Sequence, residues 1–131
     1  MSRGPRVFVV DDDPAMVEAV QAVLGHDGFD VDGASDAAAA LRTVLRTPPE
    51  LLVLDINMPG LTGWEICDIL RRQPATSALP ILFLTGRGDV TDRITAMQVG
   101  GTDHLTKPFR AEDLRARARA LTGRPAQRGV R

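Results

Sequence analysis

The sequence predicts an α/β fold in which five helices cover both faces of a five-stranded parallel sheet, as a three-layer sandwich. Three short runs of the chain are apolar at nearly every position, which is typical of parallel strands buried on both faces. The stretches between these runs repeat apolar residues at helical spacing. Strands that alternate with helices indicate a parallel sheet with helices on both sides. The 131 residues, 44% hydrophobic and 25% charged, match one ordinary soluble domain.

The predicted strands are short. Residues 6–10, 51–54 and 81–84 form the three apolar runs. Residues 29–32 alternate between apolar and polar side chains, as an edge strand does. Residues 102–106 are a weaker, fifth candidate.

Five helices are predicted from apolar positions that recur on one helical face. These positions are Met16, Val20, Val23 and Leu24; Ala37, Leu41, Val44 and Leu45; Ile66, Ile69 and Leu70; Val90, Ile94 and Met97; and Leu114, Ala118 and Leu121. Asp13 and Pro14 are expected as the N-cap and first residue of the first helix, which Gly25 would follow. Ser35 is expected to cap the second helix, and Gly123 to close the last one.

Cysteine content and apolar run length narrow the class of protein. The single cysteine, Cys67, excludes an internal disulfide framework and a cysteine-cluster metal site, and it suits a reducing compartment. No apolar run approaches the roughly 20 residues that a membrane span needs, and the first residues do not resemble a signal peptide. We therefore expect a cytoplasmic protein without a membrane contact. Residues 123–131, rich in Gly, Pro and Arg, predict a flexible tail or the stump of a linker.

The charges are unevenly distributed. Residues 1–60 hold 10 acids and 4 bases, whereas residues 61–131 hold 7 acids and 12 bases. We expect no direct nucleic-acid binding, because no helix-turn-helix pattern accompanies the arginines and no aromatic residues are interleaved with them. Fifteen of the 16 bases are arginine, and the lone lysine is Lys107. That choice indicates a position that needs a compact ammonium group.

Polar residues follow four of the predicted strands. Asp11 and Asp12 come after the first strand, Asp55 after the third, Thr85 after the fourth and Lys107 after the fifth. In an open α/β sheet, ligands bind beyond the carboxyl ends of the strands. We therefore expect these side chains to meet at one edge.

The chemistry of these groups predicts a phosphoryl acceptor. Carboxylates a few ångströms apart oppose each other's ionisation, and Mg²⁺ offsets this because it binds carboxylate and phosphate oxygens. One carboxylate can then act as a nucleophile toward phosphorus and form an aspartyl phosphate. The lysine and the threonine would bind the phosphoryl oxygens.

Four motifs resemble, in the same order, the receiver domain of two-component response regulators. They are VVDDDP at 9–14, LDINMPG at 54–60, LTG at 84–86 and LTKPF at 105–109. The resemblance covers residues 5–122 and implies a flavodoxin-like, CheY-like sheet with strand order 2-1-3-4-5 and five helices.

The resemblance implies a role for each acidic residue. Asp55 matches the phosphoacceptor, which also contacts the metal. Asp12 matches the direct ligand of Mg²⁺, and Asp11 assists mainly through water. The backbone carbonyl of Asn57 matches a further ligand, and Mn²⁺ is expected to substitute for Mg²⁺.

It also implies a conformational switch. Thr85 matches the hydroxyl that moves toward the phosphoryl group, Lys107 matches its partner, and the Lys107–Pro108 bond is cis in the family. Two positions depart from the family pattern. His104 stands where tyrosine or phenylalanine is usual, and Gly86 stands where alanine is common. A histidine at 104 either acts as a pH-sensitive switch, weakens the switch, or is simply exposed at the strand end.

The function implied is that of a signalling domain rather than an enzyme acting on an external substrate. A sensor histidine kinase or a histidine phosphotransfer protein would supply the phosphoryl group to Asp55. The conformational change would control a downstream effector protein or domain. Asp103 and Arg117 would contribute to the face of a phosphorylation-linked homodimer.

Two alternatives stay open from the sequence. An aspartyl-phosphate phosphatase of the haloacid-dehalogenase type would use the spacing of Asp11 and Asp13 after the first strand, although no cap domain accompanies it. A degenerate receiver that acts only as a scaffold would not need the complete set of site residues.

Overall fold

The computed structural model describes residues 4–86, 98 and 100–123. The strands are β1 Arg6–Val10, β2 Asp30–Ala34, β3 Leu51–Asp55, β4 Ile81–Thr85 and β5 Asp103–Thr106. Within the described ranges the helices are α1 Pro14–His26, α2 Ala37–Arg46, α3 Gly63–Arg71 and α4 Ala111–Leu121. The predicted helix marked by Val90, Ile94 and Met97 lies outside the described residues, so four of the five expected helices are described.

All strand pairs are parallel, and the sheet order is β2-β1-β3-β4-β5. This confirms the predicted fold class and strand order. Val10 pairs with Leu54, and Thr85 pairs with Thr106. Because these residues end or nearly end their strands, the residues that follow β1, β3, β4 and β5 emerge at the same edge of the sheet.

Two separate hydrophobic cores lie on the two faces of the sheet. Phe8, Leu54 and Phe83 pack with α2 and α3, whereas Val9 and Leu84 pack with α1 and α4. Alternate residues of one strand therefore enter opposite cores. This arrangement explains why the central strands are apolar at consecutive positions.

The starts of α1 and α2 show one correct and one wrong prediction. The Asp13 side chain accepts a hydrogen bond from the Ala15 N–H at 3.0 Å, which confirms it as the N-cap of α1. Ser35 is not the N-cap of α2, because Asp36 holds that position and accepts from the Ala39 N–H at 3.0 Å. Serine and aspartate are about equally good N-caps, so sequence alone cannot choose between neighbours.

The helix ends also differ in part from expectation. Gly25 lies inside α1 rather than beyond it, since the helix continues to His26 and the left-handed glycine is Gly28, with a φ of 93°. Gly123 does follow the last helix in a left-handed conformation, with a φ of 70°. Among the described helices, none is long and apolar enough to cross a membrane.

The start of α3 is pressed against the end of β3. The Gly63 N–H donates to the Ile56 carbonyl at 2.9 Å. A Cβ at Gly63 would lie 2.6 Å from the carbonyl oxygen of Asp55 and 2.9 Å from the Cα of Ile56. Only glycine allows this approach, which brings α3 directly against the strand end that carries Asp55.

Gly63→Ala should therefore destabilise the protein, because the added Cβ meets backbone atoms that cannot move aside cheaply. We expect a loss of about 1–3 kcal/mol in the free energy of unfolding. Gly25→Ala is the matched control, since a Cβ there has nothing within 4 Å, and it should add about 0.5–1 kcal/mol because a helical glycine costs entropy. Urea unfolding followed by circular dichroism measures both, and equal stability of the two variants would contradict the packing argument.

Candidate functional site

Three carboxylates meet at the carboxyl edge of the sheet. Asp11, Asp12 and Asp55 each offer an oxygen within 4.8 Å of the other two. Asp11 is 1% exposed and Asp55 is 5% exposed, whereas Asp12 faces solvent. The site is therefore a shallow acidic pocket with two buried carboxylates at its base and one at its rim.

Lys107 lies between the two buried carboxylates. Its Nζ donates to Oδ2 of Asp11 at 2.9 Å and to Oδ1 of Asp55 at 3.2 Å. The backbone N–H of Lys107 donates to the Thr85 carbonyl at 2.7 Å, which attaches the residue to the end of β4. The bond from Lys107 to Pro108 is cis, as the resemblance implies. The lone lysine of the chain is thus placed where a compact ammonium group contacts two acids.

Asp11 is oriented by its neighbours. Its Oδ1 accepts from the backbone N–H of Asp13 at 3.0 Å, while its Oδ2 accepts from Lys107. Asp55 differs, since Lys107 contacts its Oδ1 and no described residue donates a hydrogen bond to its Oδ2. Of the two buried carboxylates, Asp55 is the one with an oxygen left for new chemistry.

Burial and neighbouring charge change the proton affinities in this cluster. Burial, followed by the charge of Asp11, raises the pKa of Asp55 from 3.8 to about 6, although Lys107 opposes the shift. Burial alone lowers the pKa of Lys107, but its hydrogen bonds and the charges of Asp11 and Asp55 outweigh burial and raise that pKa above its usual value. Lys107 therefore stays charged, and the three carboxylates outnumber the single ammonium group.

Thr85 ends β4 beside this cluster. The residue is 1% exposed, and its buried Oγ1 has no hydrogen-bond partner among the described residues. An unpaired buried hydroxyl costs about 1–3 kcal/mol. Such a hydroxyl can donate to an acceptor that enters the pocket.

The remaining predicted site residues lie around the pocket. Asn57 is exposed, two residues beyond the end of β3. His104 is half-buried in β5, paired in register with Phe83, and its Nδ1 is buried without a partner among the described residues. Asp103 and Arg117 lie 3.9 Å apart as an ion pair between β5 and α4.

The donor set fits a hard divalent cation. Carboxylate oxygens are the ligands that Mg²⁺ and Mn²⁺ prefer, and the cluster holds three of them against one ammonium. The surplus of negative charge favours a bound cation. Because Asp12 is exposed, such a cation would also be open to water ligands.

Two further side chains have structural contacts at this edge. The Asp13 carboxylate caps α1, and it is not one of the three carboxylates that cluster among the described residues. The Trp64 ring, at the start of α3, packs against Phe83 with ring centroids 5.0 Å apart.

Sequence reasoning did not identify Gly63 as part of this site. Its contact with the Asp55 backbone depends on the distance between α3 and β3. The only local signal was a glycine directly after Thr62, which forms a capping box with Glu65.

Comparison with known families and proteins agrees with this geometry. The protein-family model of the response regulator receiver domain matches residues 7–119 of the sequence. The chain is 42% identical over 121 residues to the transcriptional regulatory protein TcrA of Mycobacterium tuberculosis, covering 92% of the chain and 47% of that protein. It is 44% identical over 119 residues to the response regulator MprA of Mycobacterium leprae, covering 91% of the chain and 51% of that protein. The chain thus spans about half the length of these relatives.

Solved structures show the same architecture. A putative response regulator from Chloroflexus aurantiacus superposes with a TM-score of 0.89 at 33% identity, covering 93% of the chain and all of that structure. The chemotaxis response regulator CheY4 of Vibrio cholerae superposes with a TM-score of 0.84 at 30% identity, covering 90% of the chain and 98% of that structure. The chain therefore belongs to the response regulator receiver family.

Proposed function

We propose that Asp55 accepts a phosphoryl group from a phosphohistidine presented by a sensor histidine kinase or a histidine phosphotransfer protein. The observation that carries this proposal is the unequal environment of its two oxygens: Oδ1 contacts Lys107, and Oδ2 has no donor among the described residues. Oδ2 attacks phosphorus as the bond between phosphorus and the donor imidazole nitrogen breaks. The imidazole leaves as the neutral group after it takes a proton.

Lys107 and Thr85 are proposed to stabilise the transferred group. The Lys107 ammonium, already 3.2 Å from Asp55, offsets the charge that develops on the phosphoryl oxygens. The unpaired Thr85 hydroxyl gains an acceptor when a phosphoryl oxygen is present. The resulting movement of Thr85, with His104 as the second switch residue, shifts the balance between inactive and active conformations.

The metal site is proposed to use Asp11, Asp12, Asp55 and the backbone carbonyl of Asn57, with Mg²⁺ as the ion and Mn²⁺ as a substitute. When bound, the ion would supply positive charge to the carboxylates and to the phosphoryl oxygens. Asp11 would have a fixed orientation among these ligands, because its Oδ1 accepts from the Asp13 N–H and its Oδ2 accepts from Lys107.

The biological role proposed is that of a phosphorylated signalling domain over residues 5–122, rather than a turnover enzyme. Its output passes to an effector protein or domain in the cytoplasm, without direct nucleic-acid contact by the receiver itself. Two relatives are named transcriptional regulators, and transcriptional control is the output that we propose. Asp103 and Arg117 would exchange their ion pair for contacts across a phosphorylation-linked homodimer.

Asp55→Asn should abolish phosphorylation, because the amide is not a nucleophile toward phosphorus. Intact mass after incubation with a small phosphodonor and Mg²⁺ should show one phosphoryl group on the parent chain and none on the variant. Asp13→Asn is the control, since asparagine also caps helices, and it should be phosphorylated normally. Phosphorylated Asp55→Asn would show that another residue is the acceptor.

Asp11→Asn should weaken Mg²⁺ binding by about 10- to 100-fold, the usual effect of losing a residue that supports the ion through an outer contact. Calorimetric titration without phosphodonor measures this directly, so the result does not depend on phosphorylation. Asp13→Asn should bind Mg²⁺ as the parent does. Unchanged affinity in Asp11→Asn would exclude that residue from the metal site.

The raised pKa of Asp55 makes stability depend on pH. Because its pKa rises from 3.8 to about 6 on folding, the folded state binds the proton more tightly, and stability falls as pH rises through this window. At neutral pH without metal, Asp55→Asn should therefore raise the free energy of unfolding by roughly 1–3 kcal/mol. Urea unfolding should show a smaller gain near pH 4, and Mg²⁺ should reduce the gain at neutral pH. A gain that is independent of pH would contradict this explanation.

A further inference from the structure

The loop that joins β3 to α3 carries Asn57, the residue whose backbone carbonyl is proposed as a metal ligand. That carbonyl belongs to the planar peptide unit between Asn57 and Met58, so the positions of these two residues set its direction. The Asn57 side chain is exposed, and no described residue donates a hydrogen bond to the Asn57 carbonyl. The direction of this carbonyl is therefore set by the neighbouring residues of the loop.

The start of the loop is fixed by two backbone hydrogen bonds at Ile56. Its N–H donates to the Leu84 carbonyl of β4 at 3.3 Å, and its carbonyl accepts from the Gly63 N–H at 2.9 Å. The Ile56 side chain is 1% exposed and lies in the hydrophobic core on the α2 and α3 side of the sheet. The peptide unit that precedes the Cα of Asn57 is therefore held in place.

The end of the loop is fixed by a capping box at the start of α3. The Thr62 N–H donates to Oε1 of Glu65 at 2.8 Å, and the Glu65 N–H donates to Oγ1 of Thr62 at 3.2 Å. Between the two ends, Gly60 has a φ of 82°, which favours glycine. None of these contacts involves the peptide unit that follows Asn57.

Met58 is the residue that holds that peptide unit. Its side chain is 5% exposed and lies in the same hydrophobic core as Ile56 and Phe83. The residues on either side of it, Asn57 and Pro59, are both exposed. Because a close-packed core restricts a buried side chain, the Cα of Met58 is fixed, and with it the peptide unit that carries the Asn57 carbonyl.

We propose that Met58 is a positioning residue for the metal site, because its burial holds the Asn57 carbonyl in a fixed orientation before the ion binds. This inference rests on the proposed function, since it takes that carbonyl as a ligand. A ligand that is already ordered loses little entropy when the ion binds, so a fixed carbonyl raises the affinity. The Asn57 side chain would contribute little, because the ligand is a backbone atom.

Calorimetric titration with Mg²⁺, in the absence of phosphodonor, tests this proposal. Met58→Ala should weaken binding by about 10-fold or more, the range seen when a group that orients a metal ligand is removed. Met58→Leu should bind Mg²⁺ as the parent does, because leucine has a similar volume and stays buried. Asn57→Ala should also bind as the parent does, because it keeps the backbone carbonyl.

Leu79→Ala is the matched control for a general loss of packing. Leu79 is 7% exposed and belongs to the same hydrophobic core as Met58, but it precedes β4, at the edge of the sheet opposite to Asp55. Urea unfolding should show that Leu79→Ala and Met58→Ala both lose stability. Only Met58→Ala should lose affinity for Mg²⁺.

The ¹³C chemical shift of the Asn57 carbonyl distinguishes the positioning role from the metal site itself. This shift should change when Mg²⁺ is added to the parent chain, and it should change less in Met58→Ala at the same Mg²⁺ concentration. If Met58→Ala binds Mg²⁺ as tightly as the parent, or if Leu79→Ala loses as much affinity, the positioning role is overturned and the metal site stands. If the parent binds no Mg²⁺, or binds it without a change at the Asn57 carbonyl, the proposed ligand set is overturned and the positioning role with it.

Discussion

The contact of one ammonium group with two buried carboxylates is the interaction on which the rest of the site depends. Asp11 follows β1, Asp55 ends the neighbouring strand β3, and both are almost fully buried. An unpaired buried charge is strongly destabilising, so Lys107 must reach them from the end of β5. The hydrogen bond from the Lys107 N–H to the Thr85 carbonyl fixes the start of the Lys107 side chain beside the end of β4, and the strand order places that end next to β3 and Asp55.

In the acidic pocket, the negative charge is not fully neutralised and one buried hydroxyl lacks a hydrogen-bond partner among the described residues. One ammonium faces three carboxylates, and burial with like charge raises the pKa of Asp55 to about 6. Thr85 adds a buried hydroxyl without a partner among the described residues. Each of these costs stability in the free protein, and each would be relieved by the proposed cation or by a phosphoryl oxygen. The same features that weaken the fold therefore favour binding of those groups.

Much of the site could be predicted because parallel strands end at one edge, so residues far apart in sequence meet there. Lys107 and Asp11 are 96 positions apart, yet the alternation of strands and helices brings both to that edge. Features that depend on distances between elements could not be predicted. The contact of Gly63 with the Asp55 backbone is one such feature. The position of the α2 N-cap could not be predicted for a different reason. Asp36 and Ser35 are neighbours and have similar N-cap preference, so the sequence does not distinguish them.

The strands β3 and β4 run between the two edges of the sheet and carry Asp55 and Thr85 at their carboxyl ends. Each strand has five residues, all buried, and spans about 16 Å. Close-packed interiors of this kind have low compressibility and leave little room for gradual deformation. The proposed change on phosphorylation would therefore involve groups that are not yet satisfied, such as the Thr85 hydroxyl, which has no partner among the described residues.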